Sequence, residues 1–560
     1  MNIGHYAQRY WFVLAAGLLF VLGAPLAAHG ELASSEYEIS EEDLAKIEAA
    51  LPDAAPATPA EPRKLLVFDV NRNYGGHPSR FHANKAFERM GEATGAFETV
   101  VSRNPEVFER DSLEEFDAVF FNNTVGNLFE DEDLRQNLID FVYSGGGLMG
   151  CHGTSVAFIR WGEDGGDDWP EFGVMLGGRG AAHRESDEHA YMKLDSPEHP
   201  LNAPFSEDGF DFRDEFFRVQ DPYSRDRVRV LFSMDVERTD LEDPARERAD
   251  RDYAQAWVRN YGRGRVFHCT IGHNPYVFWD PQMLEFYLGA TQFALGDLDA
   301  PTTPSARLTP AIQAQEDLGW RVGLDIPGAD ATLFETIQRA GDAGFLYMTA
   351  SNTQHVSGAI DKPFGPGLDR SEREAIRLQL DGAGVRLLGY RLDSLPASAE
   401  ETEAAFAFAR RMGMETVLAE APEGTLDLVE DIATTHDMEF ALLPGNATPQ
   451  ALKERMEGRD DLLGVHLDAP AWSESGIDPV EGLMTLGERV TTVRLDEETG
   501  EDVLRAIHQE GLQPTVIGYP QSQESADQTA LSLQAALAPH LRANTHSHPG
   551  APLAPPLAMQ

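Results

Sequence analysis

Eight short apolar runs recur between residues 321 and 520, each followed by a stretch whose apolar residues repeat at helical spacing. The runs are "RVGLDI", "FLYMTAS", "VRLLGYRLD", "ETVLAEA", "EFALLPG", "LLGVHLDA", "VTTVRLD" and "QPTVIGYP". Segments such as "LFETIQRAGDAG", "EETEAAFAFARRMG" and "GEDVLRAIHQEG" stand between them. A strand that must pair in parallel with its successor needs a helix to return the chain, and eight such units in roughly 225 residues close into a (β/α)8 barrel. This assigns residues 315–544 to a barrel and leaves the other half of the 560-residue chain to fold separately.

That other half also alternates. "RKLLVFDVNRNYGG", "FETVVS", "FDAVFFNNT", "GLMGCH", "RVRVLFSMD" and "AQAWVRNYGRGRVFHCTIGH" read as strands. "HANKAFERMGEATG", "EDLRQNLIDFVYSGGG" and "PQMLEFYLGATQFALG" read as helices. The spacing predicts an open parallel sheet with helices on both faces over residues 63–297, joined to the barrel by a proline-rich linker at 298–314. Residues 1–30 read as an export signal: Arg9, the apolar run "WFVLAAGLLFVLGAPLAA" and small residues for cleavage near Ala28 to Gly30. The expected location is periplasmic or secreted, with membrane attachment only if the signal stays uncleaved. An acidic, Ala/Pro-rich linker follows at 31–62, and 545–560 reads as a disordered tail.

Charge excludes some partners. With 93 acidic and 45 basic residues the formal net charge is -48, which repels nucleic acid and anionic lipid. The two cysteines, Cys151 and Cys269, form no disulfide scaffold; they either pair or sit as free thiols on neighbouring strands.

The segment "SGGGLMGCHGTSVAF" (144–158) is a strand, a glycine turn and a helix start. A tight strand-to-helix elbow needs small residues two before and two after its apex. With His152 at the apex these are Gly150 and Thr154; with Cys151 they are Met149 and Gly153. The histidine register fits better, and imidazole suits acid/base or metal-ligand chemistry over acyl transfer. Further polar residues follow other strands: His77 and Ser79 in "YGGHPSRFH", Asn122, Asn123 and Thr124 in "FNNTVGN", His183 in "GGRGAAHRES", Asp214 and Glu215 in "FRDEFF", and His273 in "TIGHNP". Loops beyond the carboxyl ends of parallel strands converge on one crevice. His199, before a proline, reads as a turn residue, and at most one of the adjacent Asp214 and Glu215 enters the crevice.

These motifs, with "HPL" and the closing "ATQFALG", resemble the trehalose-utilisation (ThuA-like) family, a branch of the class I glutamine amidotransferase-like fold, across residues 64–296. The resemblance implies a flavodoxin/amidotransferase-like sheet domain with a histidine, here His152, where amidotransferases carry a cysteine. It also brings His77, His183, Asp214, Glu215 and His273 into the site and implies breakdown of trehalose-like disaccharides through keto-sugars. The expected catalytic set is therefore His152, His77, His183, Asp214 and His273. Ser79, Asn122, Asn123, Thr154 and Glu215 are expected to bind substrate. A divalent metal is possible on His77, His152, His183 and Asp214. An acidic segment, residues 161–172, would cover the crevice. The alternative is a non-catalytic carbohydrate-binding or scaffold protein.

The second half resembles the sugar phosphate isomerase/epimerase group, whose xylose-isomerase-like TIM barrels bind a divalent metal at strand ends. Matching positions here hold Leu443, Asp468, Ala471, Arg494 and Gly518. One carboxylate beside an arginine holds no such ion, so no barrel cofactor is expected and Arg494 should pair with Asp468. A rebuilt site from Glu420, His466, Asp468 and Asp496 is the alternative. Asp325, Tyr390, His355 and Trp472 are candidate ligand contacts. The partner expected overall is a small carbohydrate; the sequence leaves oligomeric state open.

Overall fold

A computed structural model describes residues 39–161, 165–241, 248–325, 331–422 and 424–519. The export signal, the tail and residues 162–164 of the acidic segment lie outside the described residues.

The first domain is built on a nine-stranded sheet. Its strands in chain order are β1 (Lys64–Phe68), β2 (Glu98–Ser102), β3 (Ala118–Asn122) and β4 (Gly147–Cys151). A small antiparallel pair outside the sheet uses β5 (Arg179–Ala182) and β8 (Arg218–Gln220). Between and after these come β6 (Glu188–Leu194), β7 (Phe210–Asp214), β9 (Arg229–Met234), β10 (Ala254–Tyr261) and β11 (Gly264–Cys269). The order across the sheet is β2-β1-β3-β4-β11-β10-β9-β6-β7. The first five are mutually parallel, and the rest add antiparallel. The sheet is thus mixed, with the expected parallel half carrying an antiparallel extension.

Burial explains why the parallel half is continuous apolar sequence. Ala118 and Phe120 of β3 enter the core on one face, Val119 and Phe121 that on the other, so every position is covered. The chain leaves β1 toward β2, then returns to place β3 on the opposite side of β1. That reversal opens a crevice beyond the carboxyl ends of these strands.

Part of the expected linker is ordered: Glu41–Ala50 is a helix capped by Ser40, with Ile47 buried among apolar residues of the sheet domain. The second domain is a closed eight-stranded parallel barrel. Its strands are β12 (Val322–Leu324), β13 (Tyr347–Ser351), β14 (Arg386–Arg391), β15 (Thr416–Ala419), β16 (Glu439–Leu442), β17 (Leu463–Asp468), β18 (Val490–Arg494) and β19 (Val516–Tyr519). β12 pairs with β19 to complete the ring. Each of the eight apolar runs contributes one strand.

Candidate functional site

Three imidazoles and one carboxylate meet beyond β1, β4, β7 and β11. His77, His152, His273 and Glu215 each bring a ligand atom within 4.8 Å of the others'. The ring centres lie 4.8 Å apart for His77 and His152, 5.0 Å for His77 and His273, and 5.0 Å for His152 and His273, all edge to face.

His152 occupies the elbow directly after β4 with φ of 41°, a left-handed conformation that non-glycine residues adopt only under surrounding constraint. Gly150 leaves the room this requires: a Cβ there would stand 2.8 Å from Thr154 and 2.9 Å from His268. The ring is fully buried, with Phe217 packed against it at 4.8 Å. Its Nδ1 lies 2.9 Å from the Thr270 carbonyl, a contact only an N–H can satisfy. Nε2 lies 3.2 Å from His273 Nδ1 and 3.4 Å from Glu215 Oε1.

Glu215 holds the group together. Oε1 also lies 3.4 Å from His273 Nδ1, while Oε2 lies 3.1 Å from Nδ1 of the half-exposed His183. Burial alone would raise its pKa, but hydrogen bonds to His152, His183 and His273 hold the carboxyl well below the usual range. Burial, reinforced by the neighbouring imidazoles, pushes His77 down to about 2 and keeps it neutral. The Tyr74 hydroxyl is 3.4 Å from His77 Nε2, and the Tyr74 ring stands 5.9 Å from Trp161 at the rim.

An ionised Glu215 and a neutral His77 are protonation states that metal ligation needs. The His152 contact to Thr270 is the orienting bond metal-ligating histidines usually make. His77 Nδ1 is buried without a hydrogen-bond partner among the described residues. The donor set fits a divalent cation that accepts imidazole nitrogen, of the zinc class.

Other expected site residues lie elsewhere in the framework. Asp214 is fully buried and lies outside the four-residue cluster. Its oxygens accept from the backbone N–H groups of Gly272, His273 and Asn274 at 2.7, 3.0 and 3.0 Å, and from the Asn274 side chain at 2.7 Å. It shapes the loop that presents His273, and its expected place among the metal ligands goes to Glu215. Ser79 donates to the Gly272 carbonyl at 2.8 Å, and Asn123 to the same oxygen at 3.0 Å. Asn122 donates to Arg80 O and Asn84 Oδ1, each at 2.8 Å, and Thr154 donates to Phe121 O at 2.5 Å. All four are buried, and their hydrogen bonds tie the loops around the cluster together. His199 holds a turn, accepting from Leu201 N–H at 3.2 Å and donating to Pro301 O at 3.0 Å.

Cys151 and Cys269 are free buried thiols opposite each other on β4 and β11. Burial pushes Cys151 up, and Cys269 up to about 12, so neither is a ready thiolate. In the barrel, Arg494 pairs with Asp468 at 3.2 Å. Arg391 and Arg494 approach the buried Asp325 to 3.6 and 3.8 Å, and His466 Nδ1 meets Thr492 Oγ1 at 2.9 Å. Among the described residues, Glu420, His466, Asp468 and Asp496 do not gather as a ligand set. Trp472 and Tyr390 are core residues, and His355 pairs with Asp361 at the surface.

Sequence reasoning did not find the Thr270 carbonyl, because a backbone acceptor leaves no side-chain signature. It also gave Glu215 a substrate contact instead of the hub of the cluster.

No curated protein matches the chain. Among solved structures, an uncharacterized protein from Parabacteroides distasonis ATCC 8503 is 22% identical, covers 39% of this chain and 97% of its own, and has a TM-score of 0.33. A thua-like protein from Bacteroides uniformis ATCC 8492 is 19% identical over 43% of this chain and 94% of its own, with a TM-score of 0.36. A xylose isomerase domain protein from Planctomyces limnophilus is 16% identical over 40% and 99%, with a TM-score of 0.28. The four-residue cluster falls wholly within residues 64–294, which match the family model ThuA, described as Trehalose utilisation.

Proposed function

We propose that this protein is an exported enzyme of carbohydrate catabolism that acts on a disaccharide or keto-glycoside in its ThuA domain. The observation that carries the reading is the convergence of His77, His152, His273 and Glu215 in one crevice, with His183 at its rim. The family description supports a carbohydrate-related role.

His77, His152, His273 and Glu215 would hold a divalent cation, which when bound supplies polarisation of a sugar carbonyl or hydroxyl oxygen. The chain's own groups do the rest. Thr270 fixes the His152 ring and its tautomer. Glu215 Oε2 accepts from His183 Nδ1–H, which presents His183 Nε2 as a base able to take a proton from a water that adds to the glycosidic carbon and to return it to the leaving oxygen as that C–O bond breaks. Tyr74 and Trp161 give the rim an aromatic wall against which a sugar ring can pack. The Arg494–Asp468 pair supports a barrel that works as a docking or sugar-binding module and not as a metal-dependent isomerase.

The test is turnover of a panel of oxidised and unoxidised disaccharides by the purified protein. Wild type should release monosaccharide from at least one member. His183→Ala should lose roughly 100-fold in kcat with metal content unchanged. Turnover indifferent to both His183→Ala and His152→Ala would place the chemistry elsewhere.

A further inference from the structure

At the amino-terminal ends of the parallel strands, opposite the histidines, a cleft of about 610 Å³ lies between the ThuA domain and the amino-terminal face of the barrel. Arg63, Arg110, Arg263 and Arg265 line it from the sheet domain and Arg410 and Arg411 from the barrel, with four carboxylates among them. In a chain of net charge -48, cations gathered at one place need a reason.

The carboxylates nearby are unevenly shared. Arg63 takes Glu61, Asp117 and Asp297, at 2.7, 3.1 and 2.9 Å, and Asp140 serves both Arg110 and Arg411, each at 3.4 Å. Arg263 has only the highly exposed Asp437, at 3.4 Å. Arg265 and Arg410 have no ion pair among the described residues. Arg265 Nε donates to Ala294 O at 3.1 Å, and Arg410 Nη1 to His436 O at 2.8 Å. Each therefore caps one helix end, which supplies only about half a negative charge. Arg265 is pushed down to about 10 by burial and by Arg63 and Arg263; burial and Arg263 lower Arg410 in the same direction. Six arginines line the cleft against four carboxylates, Glu114, Asp117, Asp140 and Asp437, and Arg265 and Arg410 are the two with no carboxylate in ion-pair contact among the described residues.

We propose that this cleft binds the oxyanion group of a small metabolite, a phosphate or carboxylate carried on a sugar, with Arg265 and Arg410 as its principal contacts. Guanidinium is the side chain best suited to such groups, because its planar N–H donors match two oxygens at once. The cleft is well over the volume of one sugar ring and opens away from the histidine crevice, so it is a second site with its own ligand.

Calorimetric titration of the full chain at low salt tests this, using inorganic phosphate, glucose 6-phosphate and gluconate as probes. Wild type should bind at least one probe, and Arg265→Gln and Arg410→Gln should each weaken that binding by about tenfold or more. Preference for glucose 6-phosphate or for gluconate identifies which oxyanion is carried. Should Arg265→Gln melt early, Arg410→Gln reads the same contact from the other domain. His152→Ala should bind the probe as wild type does, which separates this site from the proposed catalytic one. Failure of all three probes at about 10 mM, or loss of binding in His152→Ala with retention in both arginine variants, overturns the proposal.

Discussion

Asp214 and Glu215 are neighbours in one strand end, chemically alike, and the chain sends them to opposite duties. Alternation along extended backbone made it legible that only one could face the crevice. Which one was not legible, because the choice depends on the loop 272–274, whose N–H groups claim Asp214 from far along the sequence. The sequence leaves the duties of Ser79, Asn122, Asn123 and Thr154 open for a related reason: polar residues after parallel strands serve equally to face a ligand or to fasten the loops that do. His152, by contrast, was placed at the elbow by its flanks Gly150 and Thr154, against Met149 and Gly153 for Cys151. Replacing Asp214 by Ala should leave buried N–H groups unpaired and cost about 1–3 kcal/mol per group lost, read by urea denaturation. Asp214→Asn, which keeps an acceptor, should recover part of that stability.

At the scale of elements, the eight barrel strands and the parallel half of the sheet were readable because strands covered on both faces are uninterrupted apolar runs. β6 and β7 were missed. β6 alternates, burying Glu188, Ala190 and Met192 between more exposed residues, and its first inward position is a carboxylate. Glu188 is tolerated there because Arg218 meets both its oxygens at 2.7 Å. Arg218→Ala strands that charge and should cost roughly 3–5 kcal/mol in a denaturation curve. A second buried ion group, Glu415 with Arg321 and Arg386, lies at the amino-terminal ends of β12, β14 and β15. Burial alone would raise Glu415, but the two arginines hold it down at about 2 against an ordinary 4.5. The folded state thus binds this proton more weakly than the unfolded chain. The pair's contribution, roughly 3 kcal/mol, is complete above about pH 5 and fades as pH falls toward 2. Thermal melts of Glu415→Gln should lose that part of the acid slope.

At the scale of the whole molecule, charge and architecture act together. A net charge of -48 repels itself, so added salt should raise the melting temperature by a few degrees between about 0.05 and 0.5 M. A fall over that range would show that specific ion pairs outweigh the general repulsion. The division into sheet domain and barrel was legible from periodicity. The arginine-lined cleft between them was not, since its walls are drawn from segments hundreds of residues apart.

The account turns on whether the three imidazoles and Glu215 form a metal centre. Zinc titrated calorimetrically into chelator-stripped protein should bind with one-to-one stoichiometry in wild type. His77→Ala, His152→Ala, His273→Ala and Glu215→Gln should each weaken it by roughly 100-fold, with melting curves showing the variants folded. Equal zinc affinity in wild type and all four variants, or no binding of zinc, manganese or nickel by wild type, would contradict it.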